Sequence, residues 1–243
     1  MNIMFNVVLD SLLTIAYPQA CQICETSVEN SADGIVCHWC WLTTNVFSGA
    51  ETLCAQCGAF LQSKSTNFQT FCHRCDGRFY DSAAAVGIYE HALAASVIHL
   101  KREPFVAKRL RQLFVERFES SNFRDATLIV PVPLSKKRFS ERGFNQAVVL
   151  SRILASHLHI KFDEQSLIRK IHTPMHRVGM DGKARALSVE NAFEVKRPKF
   201  IEGENILLVD DIYTSGATVS NCAKVLKESG ADKVYVFTLA RTL

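Results

Sequence analysis

The chain has 243 residues and a formal net charge of +4. That length allows one or two domains with a proper core. The mildly basic balance is too weak alone to argue for a nucleic-acid partner, and the composition, 48% hydrophobic and 21% charged, is ordinary for a soluble protein.

The N-terminal stretch MNIMFNVVLDSLLTIAYPQAC is apolar, but no Lys or Arg precedes its apolar part and Asp10 interrupts it. A signal peptide is therefore disfavoured, and the residues before Cys21 do not resemble a lipoprotein cleavage site. No run approaches the roughly 18 uninterrupted apolar residues of a membrane-spanning helix. Phe5, Val8, Leu9, Leu12, Leu13 and Ala16 recur at helical spacing. The pattern predicts a short amphipathic helix packed on its own protein, with membrane docking the weaker alternative.

Nine cysteines follow an unusual pattern: eight form the Cys-x-x-Cys pairs Cys21/Cys24, Cys37/Cys40, Cys54/Cys57 and Cys72/Cys75. Each pair makes a tight knuckle whose two sulfurs can face one metal ion, and zinc prefers four thiolates in a tetrahedron. Four knuckles therefore imply two structural zinc ions. The segments between pairs are short and largely polar, so metal would supply the folding energy. Redox dithiols would need a thioredoxin-like strand–helix context, which is absent. Zinc thiolates also imply a reducing, cytoplasmic setting. Sequential pairing, Cys21, Cys24, Cys37 and Cys40 at one site and Cys54, Cys57, Cys72 and Cys75 at the other, is the simpler expectation. An interleaved cross-brace is the alternative. His38 and His73 lie inside knuckles and are expected to face outward. Trp39, Trp41 and Phe47 are expected to cover the sites, with an aromatic ledge for nucleic-acid bases as the alternative.

From about Asp81 the texture changes. Residues 82–89 read as a strand, and 91–118 as helical with a break near Pro104. Residues 126–133 form a short apolar strand ending in prolines, 145–158 an amphipathic helix, and 162–171 an extended segment. Residues 172–193 have no clean period and read as a long polar loop. A buried strand at 205–211 is followed by a helix at 217–229, closed by Gly230, and a last strand at 233–240. Cys222 falls on the apolar face of that helix and is assigned to the core. Strands alternating with helices argue for a parallel α/β sheet, whose ligands sit beyond the carboxyl ends of its strands.

The stretch ILLVDDIYTSGAT, residues 206–218, carries the chemistry. A buried strand delivers Asp210 and Asp211 to the sheet's carboxyl edge. Thr214, Ser215, Gly216, Ala217 and Thr218 then lead into a helix. A helix start presents free N–H groups and a positive dipole end. The hydroxyls add donors, Gly216 allows close backbone approach, and the result is a phosphate cradle. Two carboxylates beside it suit a ribose diol or hydrated Mg²⁺. A sugar phosphate satisfies all of this. A Walker B strand would need a Gly-x-x-x-x-Gly-Lys-Ser/Thr loop, which the chain lacks. A mere helix cap needs one hydroxyl or acid, not two carboxylates and three hydroxyls.

ILLVDDIYTSGAT resembles the phosphoribosyl-pyrophosphate signature of type I phosphoribosyltransferases. VPVPLSKKRFSERGFNQA (130–147), with the upstream multi-cysteine module, is similar to the ComF family, phosphoribosyltransferase-like proteins linked to DNA uptake and natural transformation. The resemblance implies an α/β fold, a type I phosphoribosyltransferase-like parallel sheet flanked by helices and preceded by a small zinc-ribbon module. It implies an N-terminal helix and double zinc ribbon over 1–80 and a phosphoribosyltransferase-like domain over 81–243. By the same resemblance Asp210 and Asp211 would hold the ribose hydroxyls. Thr214, Ser215, Gly216, Ala217 and Thr218 would bind the 5′-phosphate, and Ser135, Lys136, Lys137 and Arg138 would meet the pyrophosphate. Arg142, Gly143, Phe144, Asn145 and Gln146 form the family's hallmark turn. Residues 172–192 would be the lid, with Arg177 where related members often carry glutamine.

The expected ligands are two structural zinc ions and phosphoribosyl pyrophosphate with Mg²⁺. Single-stranded DNA and other DNA-uptake proteins are the implied partners. The basic residues Lys101, Arg102, Lys108, Arg109 and Arg111, read as one helical stretch, and Lys136, Lys137, Arg138 and Arg142 could track a DNA backbone; charged helices are more often solvated faces. Two alternatives remain open: a non-catalytic phosphoribosyl-pyrophosphate sensor or partner-binding module, and a nucleobase-salvage phosphoribosyltransferase.

Overall fold

The computed structural model describes residues 18–61, 70–75, 77–170 and 192–243. The expected N-terminal helix and residues 172–191 of the expected lid, Arg177 included, lie outside these residues.

Five parallel strands build the main sheet: β1 (Ser82–Ile88), β2 (Leu128–Pro131), β3 (Lys161–Phe162), β6 (Asn205–Tyr213) and β7 (Lys233–Arg241), in the order β1-β7-β6-β2-β3. All four neighbouring pairs are parallel. The central strands are apolar without alternation because both faces are covered. Alternation reappears in which core each residue enters, since successive side chains point to opposite faces. Leu207 and Val209 of β6, with Tyr235, Phe237 and Leu239 of β7, enter one core. Ile206, Leu208, Val234 and Val236 enter the other.

The first core is closed by α2 (His91–Leu100), α3 (Lys108–Glu119) and α5 (Gln146–Leu158). On α3, Leu110, Phe114, Val115 and Phe118 are buried at helical spacing, and the Phe114 ring lies 4.8 Å from that of Phe237. The second core is closed by α6 (Ala217–Glu228) through Val219, Cys222, Ala223 and Leu226. Cys222 is fully buried, as its helical position indicates. Gly230, at φ +91°, ends this helix: its N–H donates to the Lys227 carbonyl, and the Ala231 N–H to that of Leu226.

The cysteine segments complete both faces. Cys21, Val28, Ile35, Val36, Cys37 and Trp41 join the first core; Cys54, Cys57, Cys75 and Tyr80 join the second. Trp41 lies on the short α1 (His38–Leu42). Between the two segments the chain runs along the free edge of β1. Phe47 N–H donates to Val86 O at 2.8 Å and Ile88 N–H to Asn45 O at 2.9 Å. This pairing covers an edge strand that would otherwise be open to other chains. It requires Gly87, where a Cβ would meet Asn45 O at 2.2 Å.

Two elements differ from the sequence reading. The turn after β2 is a helix, α4 (Lys136–Arg142). The extended segment 162–171 splits into β3 and β4 (Leu167–Arg169), and β4 pairs antiparallel with β5 (Phe193–Val195) as a separate two-stranded sheet. Among the described residues no helix is long and apolar enough to cross a membrane.

Candidate functional site

The cysteines form two clusters in sequential order, Cys21, Cys24, Cys37 and Cys40, then Cys54, Cys57, Cys72 and Cys75, with each cluster's sulfurs all within 4.8 Å of one another. A tetrahedral ion at about 2.3 Å from each sulfur sets sulfur–sulfur edges near 3.8 Å. The Sγ separations Cys24–Cys37 (3.6 Å), Cys57–Cys72 (3.6 Å) and Cys54–Cys75 (3.4 Å) fit that tetrahedron. The thiol chemistry fits as well. Cys24 is lowered to about 6 by hydrogen bonds from Thr26. Cys40 is raised, first by burial and then by the neighbouring sulfurs. Four thiolates so close together need a cation among them, and the residues present fit two structural zinc ions, one in each cluster.

His38 and His73 face solvent. The aromatic expectation is corrected in two places. Trp41 is buried as expected, but Trp39 is 70% exposed. Phe47 packs with Ala85, Ile88 and Leu53 against the edge of β1, in a cluster separate from those that hold the cysteines.

At the carboxyl edge of the sheet, β6 ends in Asp210, Asp211, Ile212 and Tyr213. The two adjacent carboxylates face different surroundings. Asp211 is paired with Lys101 Nζ at 3.8 Å. Asp210 keeps a partly accessible edge but is otherwise enclosed by protein. That desolvation, followed by the Asp211 charge, pushes its carboxyl well above the ordinary range. Its Oδ1 accepts the Asp211 N–H at 2.9 Å. Tyr89, at the end of β1, is raised by burial and then by Asp211.

Thr214, Ser215 and Gly216 join β6 to α6. Gly216 is the N-cap at φ +73°, a left-handed conformation for which glycine is suited. A Cβ there would lie 2.2 Å from the Tyr213 hydroxyl. Ala217 and Thr218 already belong to the first turn of α6, whose N–H groups point out of the helix end. Thr214 is exposed, and Ser215 and Thr218 are half-buried.

Across the edge, β2 leads into Ser135, whose buried hydroxyl caps α4 by accepting the Arg138 N–H at 3.4 Å. Lys136 and Lys137 are exposed and Arg138 half-buried. The hallmark turn is a joint between two helices. Gly143 ends α4 at φ +77°, and Asn145 caps α5 by accepting the Ala147 N–H at 3.0 Å. Asn145 Nδ2 also donates to the Val132 carbonyl at 3.0 Å, tying the joint to the end of β2. Arg142 Nη1 donates to Gln146 Oε1 at 2.8 Å. An open cleft of about 1030 Å³ runs beside this joint, lined among others by Leu134, Lys136, Phe139, Phe144 and Arg169.

The basic residues read as one helical run are not continuous. Lys101 caps the end of α2 and turns to Asp211, while Lys108, Arg109 and Arg111 belong to α3. Arg109 Nη1 sits 3.2 Å from Asp33 Oδ1, and its guanidinium lies 5.0 Å over the Trp41 ring. Sequence reasoning missed Lys101 as the partner of Asp211, and Arg169 altogether. Arg169 stacks 5.3 Å from the Phe193 ring. Burial and then Arg138 lower its pKa, and Asp210 opposes them, so it lies in the same electrostatic neighbourhood as the signature acids. The one sequence signal was an arginine ending an otherwise apolar strand.

These features define a class: a parallel α/β sheet flanked by helices and carrying an N-terminal double zinc ribbon. The family model described as "Double zinc ribbon domain" matches residues 12–76. Over 216 residues the chain is 31% identical to the DNA utilization protein YhgH of Escherichia coli K12, covering 85% of this chain and 92% of that protein. It is 37% identical over 121 residues to the competence protein ComFC of Bacillus subtilis, covering 47% and 45%. It is 29% identical over 198 residues to the competence protein F of Haemophilus influenzae, covering 77% and 84%. The chain belongs to the ComF family.

Proposed function

We propose that the carboxyl edge of β6 binds phosphoribosyl pyrophosphate with Mg²⁺, and that the protein engages single-stranded DNA in the handling of incoming DNA. The observation that carries the first part is the join of β6 to α6. Two acids end a parallel strand, and a left-handed glycine then opens a helix N-terminus beside them. In this reading residues 1–80 form the ribbon module and 81–243 the phosphoribosyl-binding domain. The reduced cysteine clusters suit the cytoplasm.

The roles follow from position. Asp210 and Asp211 hold the ribose hydroxyls. The backbone and hydroxyls of Thr214–Thr218 take the 5′-phosphate. Lys136, Lys137 and Arg138, with Ser135 fixing the start of their helix and Arg142 closing it, receive the pyrophosphate. Adjacent carboxylates are the oxygen donors Mg²⁺ prefers, and among the described residues Asp210 has no ion-pair partner such as Asp211 has in Lys101. When bound, Mg²⁺ supplies charge neutralisation on the phosphate oxygens. If the site turns over, a nucleophile attacks ribose C1, the bond from C1 to the pyrophosphate oxygen breaks, and pyrophosphate leaves. Lys136 and Arg138 stabilise the departing charge, and the carboxylates support positive charge on the ribose.

The DNA part is supported by the relatives' printed names, which concern DNA utilization and competence. It is also supported by the cleft, where Phe139 is 52% exposed near Lys136 and Arg169. Aromatic rings beside cations suit bases and backbone of a single strand. The test is the double variant Asp210→Asn, Asp211→Asn, which should lose phosphoribosyl-pyrophosphate binding while two zinc equivalents remain. Retained affinity would overturn the site assignment. In the wild type, pyrophosphate release separates a transferase from a sensor that only binds.

A further inference from the structure

The loop between β6 and α6 is gripped by the second ribbon. Arg78 lies three residues beyond Cys75, and its backbone N–H donates to the Cys75 carbonyl at 3.1 Å. Its Nη2 donates to the Ser215 carbonyl at 2.6 Å. The next residues continue the contact. Phe79 N–H donates to Ser220 Oγ at 3.3 Å, and the Tyr80 and Tyr213 hydroxyls share a buried hydrogen bond of 2.6 Å. The other knuckle reaches the same place. The Cys57 carbonyl accepts a hydrogen bond from Arg241, whose guanidinium lies 5.1 Å over the Tyr213 ring. Tyr213 in turn occupies the space beside Gly216.

The peptide geometry gives these contacts a consequence. A trans peptide is planar, with its C=O and N–H pointing in opposite directions. Drawing the Ser215 carbonyl toward Arg78 therefore aims the Gly216 N–H away from the ribbon. We propose that the second zinc ribbon positions the phosphate loop, with Arg78 setting the Ser215–Gly216 peptide so that the Gly216 N–H faces the ligand. This rests on the reading that the loop binds the 5′-phosphate. Arg78 is a positioning residue: it acts through the peptide it holds. Tyr80 and Arg241 keep Tyr213 beneath that peptide.

The experiment compares wild type, Arg78→Ala, Arg78→Lys and Arg109→Ala, each with zinc content measured. Arg109→Ala breaks the link between the first ribbon and α3 and serves as the control. Backbone hydrogen exchange over 214–218 is followed without ligand, and phosphoribosyl pyrophosphate with Mg²⁺ is then titrated. Arg78→Ala should keep both zinc ions, exchange faster over the loop, and bind about tenfold more weakly, the loss of a charge-assisted hydrogen bond. Arg78→Lys should recover part of both effects, and Arg109→Ala should show neither. Loop exchange in Arg78→Ala equal to wild type would overturn the proposal. Faster exchange in Arg78→Ala, with no ligand binding even by the wild type, would leave the positioning contact standing and sink the phosphate reading instead.

Discussion

At the scale of single residues, Asp210 is in tension with its fold. Burial, then the Asp211 charge, raises its pKa above the ordinary value of 3.8. A carboxyl raised in the folded state binds its proton more tightly there than in the unfolded chain. Stability of the ligand-free protein therefore falls as pH rises from about 4 through the raised folded value. Asp210→Asn removes that charge, so thermal melts should show the variant gaining on wild type as pH rises over this window. Parallel melting curves would mean that Asp210 is not desolvated as described. Ligand binding should run the other way in wild type, weakening as pH falls, because protons compete for the carboxylate that the ligand needs. The acids and the small-residue loop were legible in sequence because strand, turn and helix are contiguous there. Their partners were not. Lys101 arrives from the end of α2 and Arg169 from the two-stranded sheet, and no local pattern links either to residue 210 or 211.

At the scale of elements, the long ones were legible through their periods. On α3 the run Leu110, Phe114, Phe118 marks one buried stripe, and on β6 four consecutive buried apolar residues mark a strand covered on both faces. Short elements were not. α4 spans seven residues with no buried side chain, so no apolar period announces it. β4 and β5 have three residues each and are far apart in sequence. What holds that region is a polar knot. Asp163 accepts the Gln165 and Ser166 N–H groups at 2.7 and 3.0 Å, and also hydrogen bonds from the Ser166 hydroxyl and Arg197. Burial alone would raise its pKa, but these donors outweigh it and the net shift is downward. The stabilisation is full above the ordinary carboxylate value and is lost as pH falls through the lowered folded value, the opposite sign to Asp210. Asp163→Asn should cost about 1.5–3 kcal/mol near neutral pH, the range for hydrogen bonds to charged groups. Most of that difference should vanish in strong acid. Denaturant unfolding at several pH values measures it, and an acid-independent gap would contradict the assignment.

At the scale of the whole molecule, the zinc ribbons are structural cover for an α/β sheet. The first completes the face of α2, α3 and α5, the second the face of α6, and the chain between them seals the edge of β1. The four Cys-x-x-Cys pairs announced the metal, because thiolate spacing is local. Their docking on opposite faces was not legible, since it depends on which buried residues alternate in β6 and β7. The expected basic strip dissolves at this scale too. Lys101 and Arg109 are paired with acids, while Lys136 and Lys137 of α4 are exposed. The central claim is that the edge formed by β6, α6 and α4 takes phosphoribosyl pyrophosphate. The most direct test is calorimetric titration of the zinc-replete wild type with phosphoribosyl pyrophosphate and Mg²⁺, with and without a short single-stranded oligonucleotide. The account predicts saturable binding at a single site, with an affinity that shifts when the oligonucleotide is present. No binding, with both zinc ions in place, would contradict it.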